Sequence, residues 1–222
     1  MKWFVIPSII AGVIAVPTAS VLVMLSVGKP ADVTYTSVDY ESFLEKSGVS
    51  EAMEDNRASL LDLLTDNYVK GELTRVNKAF TSAEFTAYLN EYFTPTPGIA
   101  DVRVKFCDEG KLVLSCKVTK EVAPLLDDVP QAADLKGYLW IADGKTLRVE
   151  ETVTSVDQKI ATKLDKAYVG QINIAGYIPD NVFLISGILN IVFQPEDSNG
   201  FSFNEENGLV FVGSMPETIA KK

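Results

Sequence analysis

The chain has 222 residues, 47% of them apolar, with 30 Asp and Glu against 20 Lys and Arg, a net charge of −10, and no His. An acidic surface repels phosphate backbones and anionic headgroups, which argues against nucleic acid as a partner and against polybasic lipid docking. Without His, the commonest general base and metal ligand is missing, so most hydrolase mechanisms lack a part.

The first element is Trp3 to Val27, which contains no charged residue. At about 1.5 Å per residue it is long enough to cross a ~30 Å hydrocarbon core with some tilt, predicting a transmembrane helix. Pro7 and Pro17 are tolerated in such a span because freed carbonyls find local partners. Lys2 on one side, against Lys29 offset by Asp32 on the other, places the N-terminus inside and the remainder extracytoplasmic, as a single-pass protein of the cell membrane. The rival is a cleaved signal peptide ending at Thr18, Ala19 and Ser20, although the apolar run continues through Val21 to Val27. Three regions follow: an anchor over 1–28, a helical module or lid over 29–70, and a helix-plus-sheet domain over 71–222.

Two segments open helices alike. In Phe80-Thr81-Ser82-Ala83-Glu84-Phe85, Thr81 and Glu84 form a capping box, with Phe80 and Phe85 placed as a staple and Tyr88, Leu89 and Tyr92 continuing the apolar face. Tyr35-Thr36-Ser37-Val38-Asp39-Tyr40 repeats this pattern, followed by Phe43 and Leu44 and stopped near Gly48. Internal repeat and independent use of a common local solution both account for it. Between them, Ser50 to Asp66 reads as a further helix and Asn67 to Lys78 as a strand.

Ala100 to Val118 is the clearest hairpin. A loop of Asp108-Glu109-Gly110, with Gly110 left-handed, pairs Phe106 with Leu112, Val104 with Leu114 and Val102 with Cys116. Arg103, Lys105 and Cys107 then share a partly wet face with Val113 and Ser115. Cys107 and Cys116 point to opposite faces several rungs apart, which predicts two thiols and no disulfide. Asp143-Gly144 marks a second hairpin, pairing Trp140 with Leu147 and Tyr138 with Val149, while Val153 to Ala167 fits either a strand or an amphipathic helix. Gln171 to Pro179 reads as a strand. Asp180 caps an almost wholly apolar helix to Gln194, and Phe201–Phe203 with Leu209–Val212 close a last hairpin around Asn207-Gly208.

No catalytic motif is present: there is no GxSxG, Walker A, GxGxxG, HExxH or CxxC. Asp197-Ser198-Asn199-Gly200 hints at a calcium loop but places Phe201 and Gly208 where ligands belong. A non-catalytic protein without cofactor is expected.

Phe80 to Val118 and Ile172 to Ile219, the latter with Gly176-Tyr177-Ile178-Pro179 and Val212-Gly213-Ser214-Met215-Pro216, resemble bacterial envelope proteins with tubular lipid-binding (TULIP-like) domains. Membrane-anchored proteins of the YpmS type share the layout. The resemblance implies an α+β fold, with an N-terminal transmembrane helix followed by a curved antiparallel sheet packed on long helices. It also implies an apolar groove for a lipid, lined by Phe85, Leu89, Val104, Phe106, Leu114, Ile185 and Leu189. The alternative is an envelope assembly or scaffold protein with a filled core that binds a protein partner.

Overall fold

The computed structural model describes residues 27–51, 56–124, 142–156, 158–177, 184–204, 206 and 208–222. Capping chemistry sets where its helices begin. Helix α1 (Ser37–Ser47) starts where the Thr36 amide donates to Asp39 Oδ2 at 2.8 Å, and it ends at Gly48, whose φ of 71° lets its N–H reach the Leu44 carbonyl. The short α2 (Leu60–Leu64) has its own box, Ser59 with Asp62. Helix α3 (Ser82–Glu91) uses Thr81 and Glu84 as expected. The Lys46 ammonium crosses from α1 to Glu84 at 2.7 Å.

Among the described residues the strands form three antiparallel sheets. Strand β1 (Tyr68–Lys70) pairs with the C-terminal β11 (Ile219–Lys221). A second sheet joins β2 (Leu73–Phe80), β10 (Gly208–Pro216), β8 (Gln194–Pro195) and β9 (Phe201–Asn204). A third runs β3 (Ile99–Phe106), β4 (Lys111–Val118), β5 (Lys145–Val156), β6 (Lys159–Val169) and β7 (Ile172–Asn173) in that order. The fourth helix, α4, is Leu184–Val192.

The α+β expectation of long helices under one curved sheet is overturned. Of the described residues 45% are in strands and 27% are helical, and the longest described helix has 11 residues. No described helix is long and apolar enough to cross a membrane. The expected anchor at 3–27 lies outside the described residues except for Val27. Physically, the helices are cut short by their own punctuation, Gly48 after α1, Pro95 and Pro97 after α3, and Pro195 after α4. Between them, the Val- and Thr-rich stretch from Val153 to Ala167 resolves as two strands of a hairpin. Of the expected helix over Ser50–Asp66, the described residues form α2 at Leu60–Leu64, with Arg57 and Ser59 instead held in bridges to Ala220 and Thr94; residues 52–55 lie outside the described residues.

Other readings hold in register. Phe106 pairs with Leu112 and Val104 with Leu114, and Phe201 pairs with Phe211 around a turn where Gly208 has φ 69°. The expected Val102–Cys116 rung is lost to a bulge between Ala100 and Arg103, where Asp101 takes φ 53° and its carboxylate holds Arg103 at 2.9 Å. The strand pairs proposed for Tyr138 and Trp140 fall outside the described residues, as does the Asp180 cap.

Helices close the β3 edge of the five-stranded sheet and the stretch of β6 that the two-residue β7 leaves without a strand partner. On α3, Ser82, Thr86 and Asn90 form one stripe, and they meet Phe106, Val104 and Val102 of edge strand β3. Four helical residues rise about 6 Å and two strand residues about 6.8 Å, so the two repeats stay nearly in step over this length. Asn90 Nδ2 donates to the Val102 carbonyl at 2.6 Å and to the Thr86 carbonyl at 2.7 Å, while the Val102 amide donates to Asn90 Oδ1 at 3.2 Å. On α4, Asn190 repeats the set on β6: Nδ2 to the Ile160 carbonyl at 2.6 Å and to the Ser186 carbonyl at 2.7 Å, with the Ile160 amide to Oδ1 at 2.8 Å. Each Asn thus satisfies strand groups that would otherwise form an open edge.

Candidate binding surfaces

The seven residues expected to line a groove are brought together, but as core. Phe85, Val104 and Leu189 are fully buried, Phe106, Ile185 and Leu89 nearly so, and Leu114 packs partly buried against the same cluster. Phe85 lies 5.8 Å from Phe106 and 5.5 Å from Phe193, ring centre to ring centre. Phe193 is the hub, also meeting Phe80, Phe201 and Phe211. Phe43 of the 29–70 region stacks on Tyr88 at 4.2 Å, so α1 belongs to this interior. A fully buried aromatic side chain contributes roughly 1.5–3 kcal/mol, and such side chains here gain it from one another.

Residues 27–33, the junction between the expected anchor and the rest of the chain, form a strap across the five-stranded sheet. The Thr146 amide donates to the Val27 carbonyl at 2.8 Å, the Ala31 amide to Ser115 Oγ at 2.8 Å, and Arg103 Nη1 to the Val33 carbonyl at 3.1 Å. Gly28 has φ 84°, and a Cβ there would lie 2.6 Å from the Gly170 carbonyl oxygen. Ala31, Val33, Val113 and Ser115 are buried beneath or within this contact face, which was expected to be partly wet. The small side chains of Gly28 and Ala31 were the available sequence signal.

Strand β2 contrasts with the closed edges of the larger sheet. It is the terminal strand of its sheet, paired only with β10 over all eight residues, and only Val76 and Phe80 are buried. Leu73 is 52% exposed, and Val210, in register with Ala79, is 39% exposed. A polar cleft of about 420 Å³ lies beside this sheet, lined by Arg75, Gln158, Gln194, Glu196 and Ser214 among others. Arg75 reaches Glu196 at 2.7 Å across it, an exposed pair that contributes at most about 1 kcal/mol.

Two buried groups have chemical character. Burial pushes the Glu151 carboxyl up to about 7, with Asp165 adding to the rise and the Thr162 hydroxyl opposing it. Among the described residues the Ser155 hydroxyl on the same hairpin is buried without a hydrogen-bond partner. Burial likewise raises the Cys116 thiol to about 12, and neither Cys116 nor the half-buried Cys107 is in a disulfide. Among the described residues no three of His, Cys, Asp and Glu converge as metal ligands. No family model, curated protein or solved structure matches the chain.

Proposed function

We propose that this is a non-catalytic envelope protein that is tethered to the cell membrane by the apolar segment 3–27 and binds a protein partner through its sheet surfaces. The observation that carries this reading is the use of its large apolar side chains. The aromatic and aliphatic residues of α3, α4 and the sheets pack on one another in a single buried cluster, and the seven residues expected to line a lipid groove belong to it. What the surface offers instead is strand backbone and scattered exposed Val and Leu, which suit protein contacts better than acyl chains.

The strap supports a fixed presentation. Because residues 27–33 are docked on β5, β4 and β3, a tether ending at Val27 meets a rigid sheet instead of swinging on a free linker. Photo-crosslinkers placed one at a time at Val38, Lys78, Val156 and Lys163, in cells carrying the full chain, test the reading. Discrete protein adducts from a subset of neighbouring positions are expected; lipid adducts alone, or none at any position, would overturn it.

A further inference from the structure

We propose that the open edge of β2, Leu73 to Phe80, is the docking strand, and that its occupant is an extended acidic segment of a partner protein added to the sheet as a further strand. The inference rests on the partner-binding reading above and names the site within it. Its first support is a contrast within the molecule. Edge strand β3, and the stretch of β6 at Ile160 that the two-residue β7 does not reach, are closed by side chains of Asn90 and Asn190 on α3 and α4. Among the described residues the edge of β2 has no such cover and no backbone partner on its outer side. A strand of this length left open is a template for strand addition.

Charge selects among occupants. Leu-Thr-Arg-Val-Asn-Lys-Ala-Phe carries two cations, Arg75 and Lys78, and no anion, on a chain whose net charge is −10. A second copy added to this edge would lay Arg75 and Lys78 of each strand beside those of the other, four cations on two neighbouring strands with no anion between them, and like charges close across strands are destabilising. An acidic partner strand turns both positions into opposite-charge pairs. Arg75 holds Glu196 yet keeps 74% of its side chain exposed, and Lys78 is exposed with no ion pair shown to it. Leu73, exposed at the start of the edge strand, offers apolar surface for one of the partner's side chains.

The test uses the full chain in nanodiscs of neutral phosphatidylcholine and two synthetic octapeptides, Thr-Val-Glu-Thr-Val-Glu-Val-Thr, whose carboxylates share the spacing of Arg75 and Lys78, and the same peptide with Lys for Glu. Amide hydrogen exchange is followed on β2, β3 and β6, with affinity read from fluorescein-labelled peptide. The acidic peptide is expected to slow exchange of β2 amides that do not face β10, to leave β3 and β6 unchanged, and to bind about tenfold tighter than the Lys peptide. In the R75E/K78E variant the preference is expected to reverse, and unchanged exchange in the core checks that the variant is folded. No slowing on β2 with either peptide, or equal binding of both, overturns the proposal. The wider reading fails by a separate result, the absence of protein crosslinks at every surface position.

Discussion

Asn90 and Asn190 each clamp the N–H and C=O of a single strand residue, Val102 and Ile160, while bonding the carbonyl four residues back in their own helix. The neighbours match as well: Thr86-Ala87-Tyr88-Leu89-Asn90 with Phe93 and Pro95, against Ser186-Gly187-Ile188-Leu189-Asn190 with Phe193 and Pro195. In both, the Leu and Phe are buried and the Asn faces a sheet edge. One local motif thus solves the same problem at opposite sides of one sheet.

Replacing either Asn by Ala leaves a backbone donor and acceptor on a sheet edge without their partner. Each variant is expected to lose about 2 kcal/mol in denaturant unfolding and to gain concentration-dependent self-association by light scattering. Asn90→Asp is expected to be no milder than Ala, because it sets a carboxylate against the Val102 carbonyl. Wild-type stability in both Ala variants would show the clamps to be incidental.

The capping boxes, the Asp108–Gly110 hairpin and the Asn207-Gly208 turn were legible because each depends on residues within a few positions of one another. The Asn90 and Asn190 clamps were legible in principle, as a spaced Leu-Asn and Phe-x-Pro pattern, but a search for similar helix starts pointed to Tyr35 and Phe80 instead. The seven groove residues were legible as inward-facing from alternation, which says nothing of what fills the interior. Whether an inward face meets a ligand or Phe193 depends on contacts between residues more than a hundred positions apart. The strap was invisible for the same reason: its partners, Ser115 and Thr146, are distant in sequence.

Glu151 makes stability fall as pH rises. Its folded pKa of about 7 lies above the ordinary carboxyl value of 4.5, so between those values the folded state binds more protons than the unfolded chain. The contribution is fully present below about pH 4.5 and is lost as pH passes 7, by an amount of order 3 kcal/mol. Glu84, Asp62 and Glu150, held below the ordinary range, act oppositely, and their stabilisation is lost only as pH falls below about 4.5. Glu84 shows why: burial alone would raise it, but the Lys46 ammonium and hydrogen bonds from Ser42 and the Thr81 amide outweigh burial. Chemical denaturation at pH 5.5 and pH 8 is expected to show wild type weaker at pH 8, and Glu151→Gln to remove most of that difference.

Gly28→Ala tests the strap. The added Cβ meets the Gly170 backbone at 2.6 Å in a left-handed conformation that Ala adopts at a cost. The variant is expected to lose about 1–3 kcal/mol or to release the strap. Release would be read as faster hydrogen exchange at the Thr146 and Ala31 amides, with the Val104 amide unchanged.

The thiols report on the hairpin. Cys107 is expected to react with a maleimide in the folded protein, whereas Cys116, buried and with its thiol raised to about 12, reacts only in denaturant. Mass spectrometry is expected to count one label folded and two unfolded, with no mass change on reduction.

The central claim is that the apolar side chains of α3, α4 and the sheets fill one another's space and that the surface serves a protein partner. Native mass spectrometry of the full chain released from nanodiscs, paired with organic extraction and titration with a fluorescent acyl probe, tests it most directly. The account predicts bare protein mass and no saturable probe uptake. A stoichiometric bound lipid displaced by the probe, with loss of binding in Leu89→Trp or Ile185→Trp variants that still fold, would contradict it.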